Sequence, residues 1–159
     1  QALFREQRVH KTYQAIAPYR PELGFPREHR SRMQESGHFI RMQEVDGPPN
    51  SHTRLTLLEH NTHWARYQLE PISGKRHQLR VHMAALGIGI LGDGLYPEVN
   101  DAPEGDFSRP LRLLAQAIAF TDPLTQQQRH FHSQYTLGAL PPEPAPSGQQ
   151  TWQGLPANA

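Results

Sequence analysis

The sequence predicts an α+β domain, on three observations: short strand-like segments punctuated by Pro, Gly and Asn, one segment with helical periodicity and a stop signal, and a length that suits a single core. Of 159 residues, 36% are hydrophobic, and 15 Pro with 12 Gly make the chain loop-rich. No apolar run approaches the length of a bilayer span, so no membrane partner is expected. The absence of Cys excludes disulfide frameworks, thiolate zinc sites and thiol nucleophiles, and fits a reducing, cytoplasmic setting. No basic-then-apolar leader opens the chain. Gln1 to Gln7 reads as the end of a helix already under way, so residues upstream are expected.

The elements follow in order. Val9 to Ala17 alternates well enough for a strand covered on one side, closed by Pro18 and Pro21. Residues 18–36, rich in Arg, Pro and Gly without clear period, read as an excursion with extended pieces. His38 to Val45 and Thr53 to His60 read as strands, broken by Gly47-Pro-Pro-Asn50, and His63 to Pro71 as a third, with Glu59-His-Asn-Thr62 turning a hairpin. Next comes a helix from an N-cap at Ser73 to a stop at Gly87. At about 100° per residue, Leu79, His82, Met83 and Leu86 share one face while Arg76, His77 and Arg80 share another, so the helix can bury one side and show charge on the other. After Ile88-Gly-Ile-Leu91 an acidic loop is expected from Glu98 to Asp106, then strands at Leu111 to Phe120 and Arg129 to Ser133 joined by a turn at Asp122-Pro-Leu-Thr125. The expected division is a domain at 1–137 and a Pro/Gly-rich tail at 138–159, whose composition offers too little burial to offset the entropy of ordering.

Charge is uneven. Residues 1–80 carry 13 Lys/Arg against 8 Asp/Glu, and residues 81–159 carry 3 against 7. The first half is therefore the candidate polyanion-binding part.

The helical segment carries more. Ser73-Gly-Lys-Arg-His-Gln-Leu-Arg-Val-His82 is similar to the stretch that RNA pseudouridine synthases of the RluA family write as T-G-R-T-H-Q-L/I-R-V-H, with Gly74 and His77 to His82 matching in register. Phe4-Arg5-Glu6 and Lys11-x-Tyr13 before it, and Ala85-Leu-Gly87, Gly92-Asp93-x-x-Tyr96 and Leu113-Leu-Ala115 to Pro123 after it, arrive in the family's order. The chain is thereby identified as resembling the C-terminal part of that family's catalytic domain, over roughly residues 1–137.

The resemblance implies a mixed, mostly antiparallel sheet with flanking helices, lacking its first strands and catalytic loop. It implies conversion of specific uridines to pseudouridine in ribosomal or transfer RNA, with no cofactor, by a monomer that flips its target nucleotide out of the stack. The family's essential nucleophile is an Asp in an H-R-L-D motif upstream of the Lys-x-Tyr element. None of Asp46, Asp93, Asp101, Asp106 or Asp122 has that context, so the chain alone is expected to be inactive. Tyr13 and Arg80 match the family's catalytic positions. The tyrosine ring suits stacking on a base that must rotate, and the guanidinium, charged at any working pH, would keep the aspartate ionised and oriented. Leu79, Lys75, Arg76, His77 and Gln78 are expected to bind substrate: Leu79 as a pocket wall, Lys75 and Arg76 at phosphates, His77 and Gln78 by bracing the loop. Asp93 and Tyr96 read as supports. RNA contacts are expected from Arg20 to Arg41 and from the start of the helix.

Other chemistries are weaker. Ten histidines include His130-x-His132 on one side of a strand and His60 with His63 around a turn, but no third ligand is suggested, so no metal site is predicted and a metal hydrolase is the weaker rival. Gly74-Lys75 lacks the upstream Gly and following Ser or Thr of a phosphate loop. A non-catalytic RNA-binding module on the same scaffold is the other alternative, distinguished by whether an in-frame His-Arg-Leu-Asp lies upstream.

Overall fold

Antiparallel pairing organises the computed structural model, which describes residues 9–37, 40–97 and 110–142. Its elements are β1 (Val9–Pro18), β2 (Arg27–Glu35), β3 (Met42–Val45), β4 (Ser51–His60), β5 (Trp64–Pro71), α1 (Gln78–Ala85), β6 (Leu113–Thr121) and β7 (Gln128–His132). The strands form one sheet in the order β3-β2-β4-β5-β1-β6-β7, and every ladder among the described residues is antiparallel. No described helix is long and apolar enough to cross a membrane. The expected helix end at 1–7, the acidic loop from Glu98 to Asp106 and most of the expected tail lie outside the described residues.

Register explains where the core sits. Residues directly opposite in a ladder project to the same face, so Tyr13, Leu69, Leu55 and Arg27 make one row across β1, β5, β4 and β2, and Ala15, Tyr67 and Leu57 make the next. The short helix α1 lies on this face. Leu79 and Met83 from α1, with Ile88 and Ile90 beyond it, pack against Ala15, Leu55, Tyr67 and Leu69. Burying such side chains stabilises by about 1.5–3 kcal/mol each. An eight-residue helix is marginal in isolation, so this contact holds α1 in place. Toward the β3 edge, Met33, Met42, Val81 and Tyr96 form a second cluster.

Three sequence expectations change. Of the strand expected over His38 to Val45, the described residues form one only over Met42–Val45. Residues 27–35 form a full sheet strand. Their positions on the helix side include Arg27, His29, Ser31 and Met33, mostly polar, so an apolar period was never visible; His29 is met by Glu44 at 2.7 Å and Ser31 by Ser51 at 3.2 Å. The helix also starts later than its expected N-cap. His77 is the N-cap, with φ 58° and ψ 19°, a left-handed conformation that interrupts any helix running into it from Ser73. Ser73 Oγ is drawn elsewhere: it accepts the His52 N–H at 3.0 Å and donates to Gln78 Oε1 at 2.7 Å. At the other end Gly87, with φ +81°, stops the helix as expected. The Gly87 N–H bonds to Ala84 O and the Ile88 N–H to Met83 O, the paired bonds of a Schellman ending.

The turns follow their sequence signals. Asn61 Oδ1 accepts the His63 and Trp64 N–H groups between β4 and β5, and Asp122 Oδ1 accepts that of Leu124 between β6 and β7. The first residues of the expected tail are tied down, since Asn61 Nδ2 donates to Pro141 O at 3.0 Å and Arg66 Nη2 to Gly138 O.

Candidate active site

A cleft of about 310 Å³ opens on the helix-bearing face of the sheet. One wall is β1, through Lys11 and Tyr13; a second is the turn of residues 73–77 and the start of α1, through Gln78, Leu79 and Arg80; Leu111 and Leu113 close the far side. Lys11 and Tyr13 are two apart on one strand and so face the same way. Between Thr12 and Tyr13 the pairing with β6 slips, Thr12 facing Ala117 and Tyr13 facing Ala115, so Gln116 is left over as a bulge. Its carbonyl is satisfied by the Ser133 N–H at 2.8 Å. A second cleft, of about 390 Å³, lies beyond, lined by Lys11 and Tyr13 together with Ala115 to Ile118 and Phe131 to Ser133. Tyr13 therefore stands on the ridge between two open spaces, partly buried at its base against the core.

Arg80 is held by a closed set of contacts. Its Nε and Nη2 donate to Asp93 Oδ2 at 3.0 Å and Oδ1 at 2.7 Å, a two-point fork that fixes the guanidinium plane. The Asp93 side chain is 0% exposed and Arg80's 19%. Asp93 Oδ1 also accepts the N–H groups of Leu95 at 2.9 Å and Tyr96 at 3.1 Å, so the loop that supplies the anion is folded around it. The Tyr96 ring lies 5.5 Å from the Arg80 guanidinium and 5.0 Å from that of Arg41. Its hydroxyl accepts the Met42 N–H at 2.8 Å and hydrogen-bonds His77 Nδ1 at 2.9 Å. Burial, with Arg80 and Arg76 nearby, pushes the pKa of His77 below its ordinary value and favours a neutral ring. The Asp93 fork uses two of the five guanidinium N–H groups.

The structure brings together most residues singled out in the sequence. Tyr13, Lys75, His77, Gln78, Leu79 and Arg80 all line the one cleft. Gln78 does so as a brace: its Nε2 donates to His52 O and Thr53 Oγ1, both at 2.9 Å, and its Oε1 accepts from Ser73 Oγ and the Lys75 N–H. All four hydrogen-bonding positions of that amide are thus occupied within the protein. Arg76 stands apart from the lining, 3.5 Å from Glu35 and beside Met42 Sδ at 3.9 Å. Sequence reasoning did not single out Lys11, Leu111 or Leu113 as site residues. Lys11 and Leu113 did belong to elements that follow the family's order, Lys11-x-Tyr13 and Leu113-Leu-Ala115, and strand parity with Tyr13 was a further signal for Lys11; Leu111, just before β6, carried none.

The Arg-rich stretch does not form one surface. In β2, Arg27 shares the helix side with Tyr13, whereas Arg30 and Arg32 alternate to the reverse side. There Arg30 pairs with Glu28 at 3.0 Å and Arg54 lies 3.8 Å from the same carboxylate, while Arg32 Nη1 donates to Pro48 O at 3.4 Å. Around the cleft the basic groups are Lys11, Lys75 and Arg80.

Comparison with known proteins gives the family and the fold. The profile of a family described as RNA pseudouridylate synthase matches residues 1–85. Human "RNA pseudouridylate synthase domain-containing protein 1" is 38% identical over 80 residues, 48% of this chain and 24% of that protein. The "Dual-specificity RNA pseudouridine synthase RluA" of Yersinia pestis is 45% identical over 67 residues, 42% of this chain and 31% of that enzyme. An "Uncharacterized RNA pseudouridine synthase" of Haemophilus influenzae is 38% identical over 100 residues, 59% of this chain and 42% of that protein. The chain thus spans between about a quarter and two fifths of these relatives' length. Among solved structures, "Human RNA Pseudouridylate Synthase Domain Containing 1" superposes with a TM-score of 0.68 at 26% identity, covering 98% of this chain and 69% of that one. "Human RNA Pseudouridylate Synthase Domain Containing 4" gives 0.62 at 23% identity over 86% of this chain and 61% of that one, a likeness of fold.

Proposed function

The chain belongs to the RNA pseudouridylate synthase family, and from that premise we propose that it supplies part of the active site of an enzyme that isomerises specific uridines to pseudouridine in ribosomal or transfer RNA. The reaction breaks the N1–C1′ glycosidic bond, turns the base and joins its C5 to C1′, with a proton leaving C5 and one arriving at N1. Nothing is oxidised or reduced, so no cofactor is called for. The enzyme must hold the freed uracil while it turns, and it must present a carboxylate.

The observation that carries this reading is the placement of Tyr13 and Arg80 on the walls of one cleft. An aromatic face binds a base without fixing its rotation, and Leu79 beside it offers an apolar wall. Arg80 presents a charge whose direction is set in advance by Asp93, which is the form of electrostatic stabilisation that needs no rearrangement during reaction. Asp93 is engaged by Arg80 and by two backbone N–H groups and is therefore not the nucleophile. The reading assigns that role to an aspartate preceding Gln1 in the complete protein. Lys11 and Lys75 at the cleft mouth would meet the phosphates flanking a flipped uridine.

The test uses the complete protein and a uridine-containing RNA labelled with tritium at C5, so that turnover is read as tritium release and affinity by filter binding. Tyr13→Leu and Arg80→Lys should each lower turnover by at least about 100-fold, the scale of losing one preorganised stabilising group, while RNA affinity falls much less. The lysine variant keeps a cation beside the buried Asp93 carboxylate, so loss of activity is not loss of fold. Turnover near the parent level in either variant overturns the site; RNA binding without turnover in the unaltered protein leaves a non-catalytic binding module.

A further inference from the structure

Toward the β3 edge of the sheet, away from the cleft, three side chains from three elements converge. His29 Nε2 of β2 lies 2.7 Å from Glu44 Oε2 of β3, and His82 Nε2 of α1 lies 3.9 Å from the same oxygen. One potential ligand atom from each of the three side chains lies within 4.8 Å of those of the other two. The two imidazoles meet edge to face with centroids 4.5 Å apart. The His82 ring is oriented from behind, where its Nδ1 bonds Thr53 Oγ1 at 2.9 Å, and Thr53 Oγ1 is itself fixed by Gln78 Nε2. Ser51 Oγ and Ser31 Oγ face His82 Nε2 at 3.0 and 3.2 Å, and Ser51 Oγ also donates to Ser31 O at 2.7 Å.

We propose that His29, Glu44 and His82 form a binding site for a divalent transition-metal ion of the zinc class, with water or the Ser31 or Ser51 hydroxyl completing the coordination. Two neutral imidazoles and a carboxylate are a borderline ligand set suited to Zn²⁺. Metal–ligand bonds of about 2.0–2.1 Å in a tetrahedral arrangement put ligand atoms about 3.3 Å apart. The His29–Glu44 spacing is shorter than that and the His82–Glu44 spacing longer, by about half an ångström each, so the first must open and the second close for the set to centre on an ion. As the ion takes the Nε2 lone pair of His29, the ring adopts the tautomer protonated at Nδ1, or, where both nitrogens carry hydrogen, the Nε2 proton passes to solvent, so that the ligand stays a neutral imidazole. Thr53 serves as the outer partner that holds a ligating histidine in one orientation. His29 and Glu44, with side chains 18% and 27% exposed, provide the way in, while His82 at 0% provides the anchor. The ion would bind β2 and β3 to the helix that carries Leu79 and Arg80, so its role is to fix that helix and not to act on substrate. None of this rests on the proposed RNA chemistry.

The test is calorimetric titration of the purified, chelator-stripped protein with zinc chloride, repeated with cobalt chloride and followed by visible absorption. One equivalent of Zn²⁺ should bind and raise the melting temperature, and Co²⁺ should give the intense visible band of a low-coordinate nitrogen-ligated ion. Glu44→Gln and His29→Ala, both at partly exposed positions, should each weaken Zn²⁺ binding by at least about tenfold, whereas His10→Ala, which removes an exposed imidazole paired with Glu70, should not. Absence of one-equivalent binding by the unaltered protein overturns the proposal. So does binding that survives both site variants, because the ion would then sit on other histidines. If either variant melts before titration, the Co²⁺ spectrum of the unaltered protein decides alone, octahedral or absent absorption counting against the site.

Discussion

Arg80 and Asp93 form a mutually dependent pair in which neither charge is well served by water. Breaking such a pair costs more than the pair itself contributes, because the remaining charge keeps its desolvation without its partner. Asp93→Asn is the sharpest probe, since an amide oxygen can still accept the Leu95 and Tyr96 N–H groups and keep the loop folded. The expected loss is about 3 kcal/mol of stability, measured by thermal unfolding followed by circular dichroism. Turnover of the complete protein should fall further than its RNA affinity, because the variant frees the guanidinium to move without removing its charge. Unchanged melting would mean that the fork contributes no net stability. At this scale the sequence was partly readable: the order Gly92-Asp93-x-x-Tyr96 marked both residues as supports, but that Asp93 grips Arg80 itself depends on a loop folding back across thirteen residues.

The ends of α1 and the loop after it set where Arg80 points. Gly87 and Gly92 both have left-handed φ, +81° and +84°, yet their surroundings differ. A Cβ at Gly87 would meet nothing within 4 Å, whereas at Gly92 it would lie 2.1 Å from Pro110 O, a backbone atom. Gly87→Ala should therefore cost only the conformational strain, about 1–2 kcal/mol, and Gly92→Ala clearly more, because the 110–112 segment must move. Urea unfolding of the two variants checks this; equal losses would show that the Pro110 segment yields freely. The Gly87 stop was legible because a helix ending is a local event. The helix start was not, since Ser73, an ordinary N-cap residue, is drawn into hydrogen bonds with β4 and Gln78, and nothing adjacent in sequence announces that competition.

For the molecule as a whole, the proposed function raises the question of which basic groups would reach RNA. Strand alternation sends Arg30 and Arg32 to the side of the sheet opposite the cleft, while Lys75 lies exposed at its mouth. The affinity of the complete protein for RNA should fall as salt rises, with a slope of log K against log salt of about −0.7 per single-strand phosphate contacted. Lys75→Ala should make that slope shallower by about one contact. Arg30→Ala, which removes a residue paired with Glu28 on the reverse face, should leave it unchanged. A larger effect from Arg30 would place the RNA on the other side of the sheet.

From the sequence alone came the α+β class, the β4–β5 and β6–β7 turns, the Gly87 stop and the family, through residues such as His77 to His82 that keep their order and spacing. These are readable because turn chemistry, helix endings and short patterns are properties of neighbouring residues. Only the folded chain decided that β1 runs between β5 and β6, so that Tyr13 faces α1 across a cleft, that Arg76 turns toward Glu35, and that His29, Glu44 and His82 converge. Each of these depends on pairings between segments far apart in the chain, where register decides which face a side chain occupies.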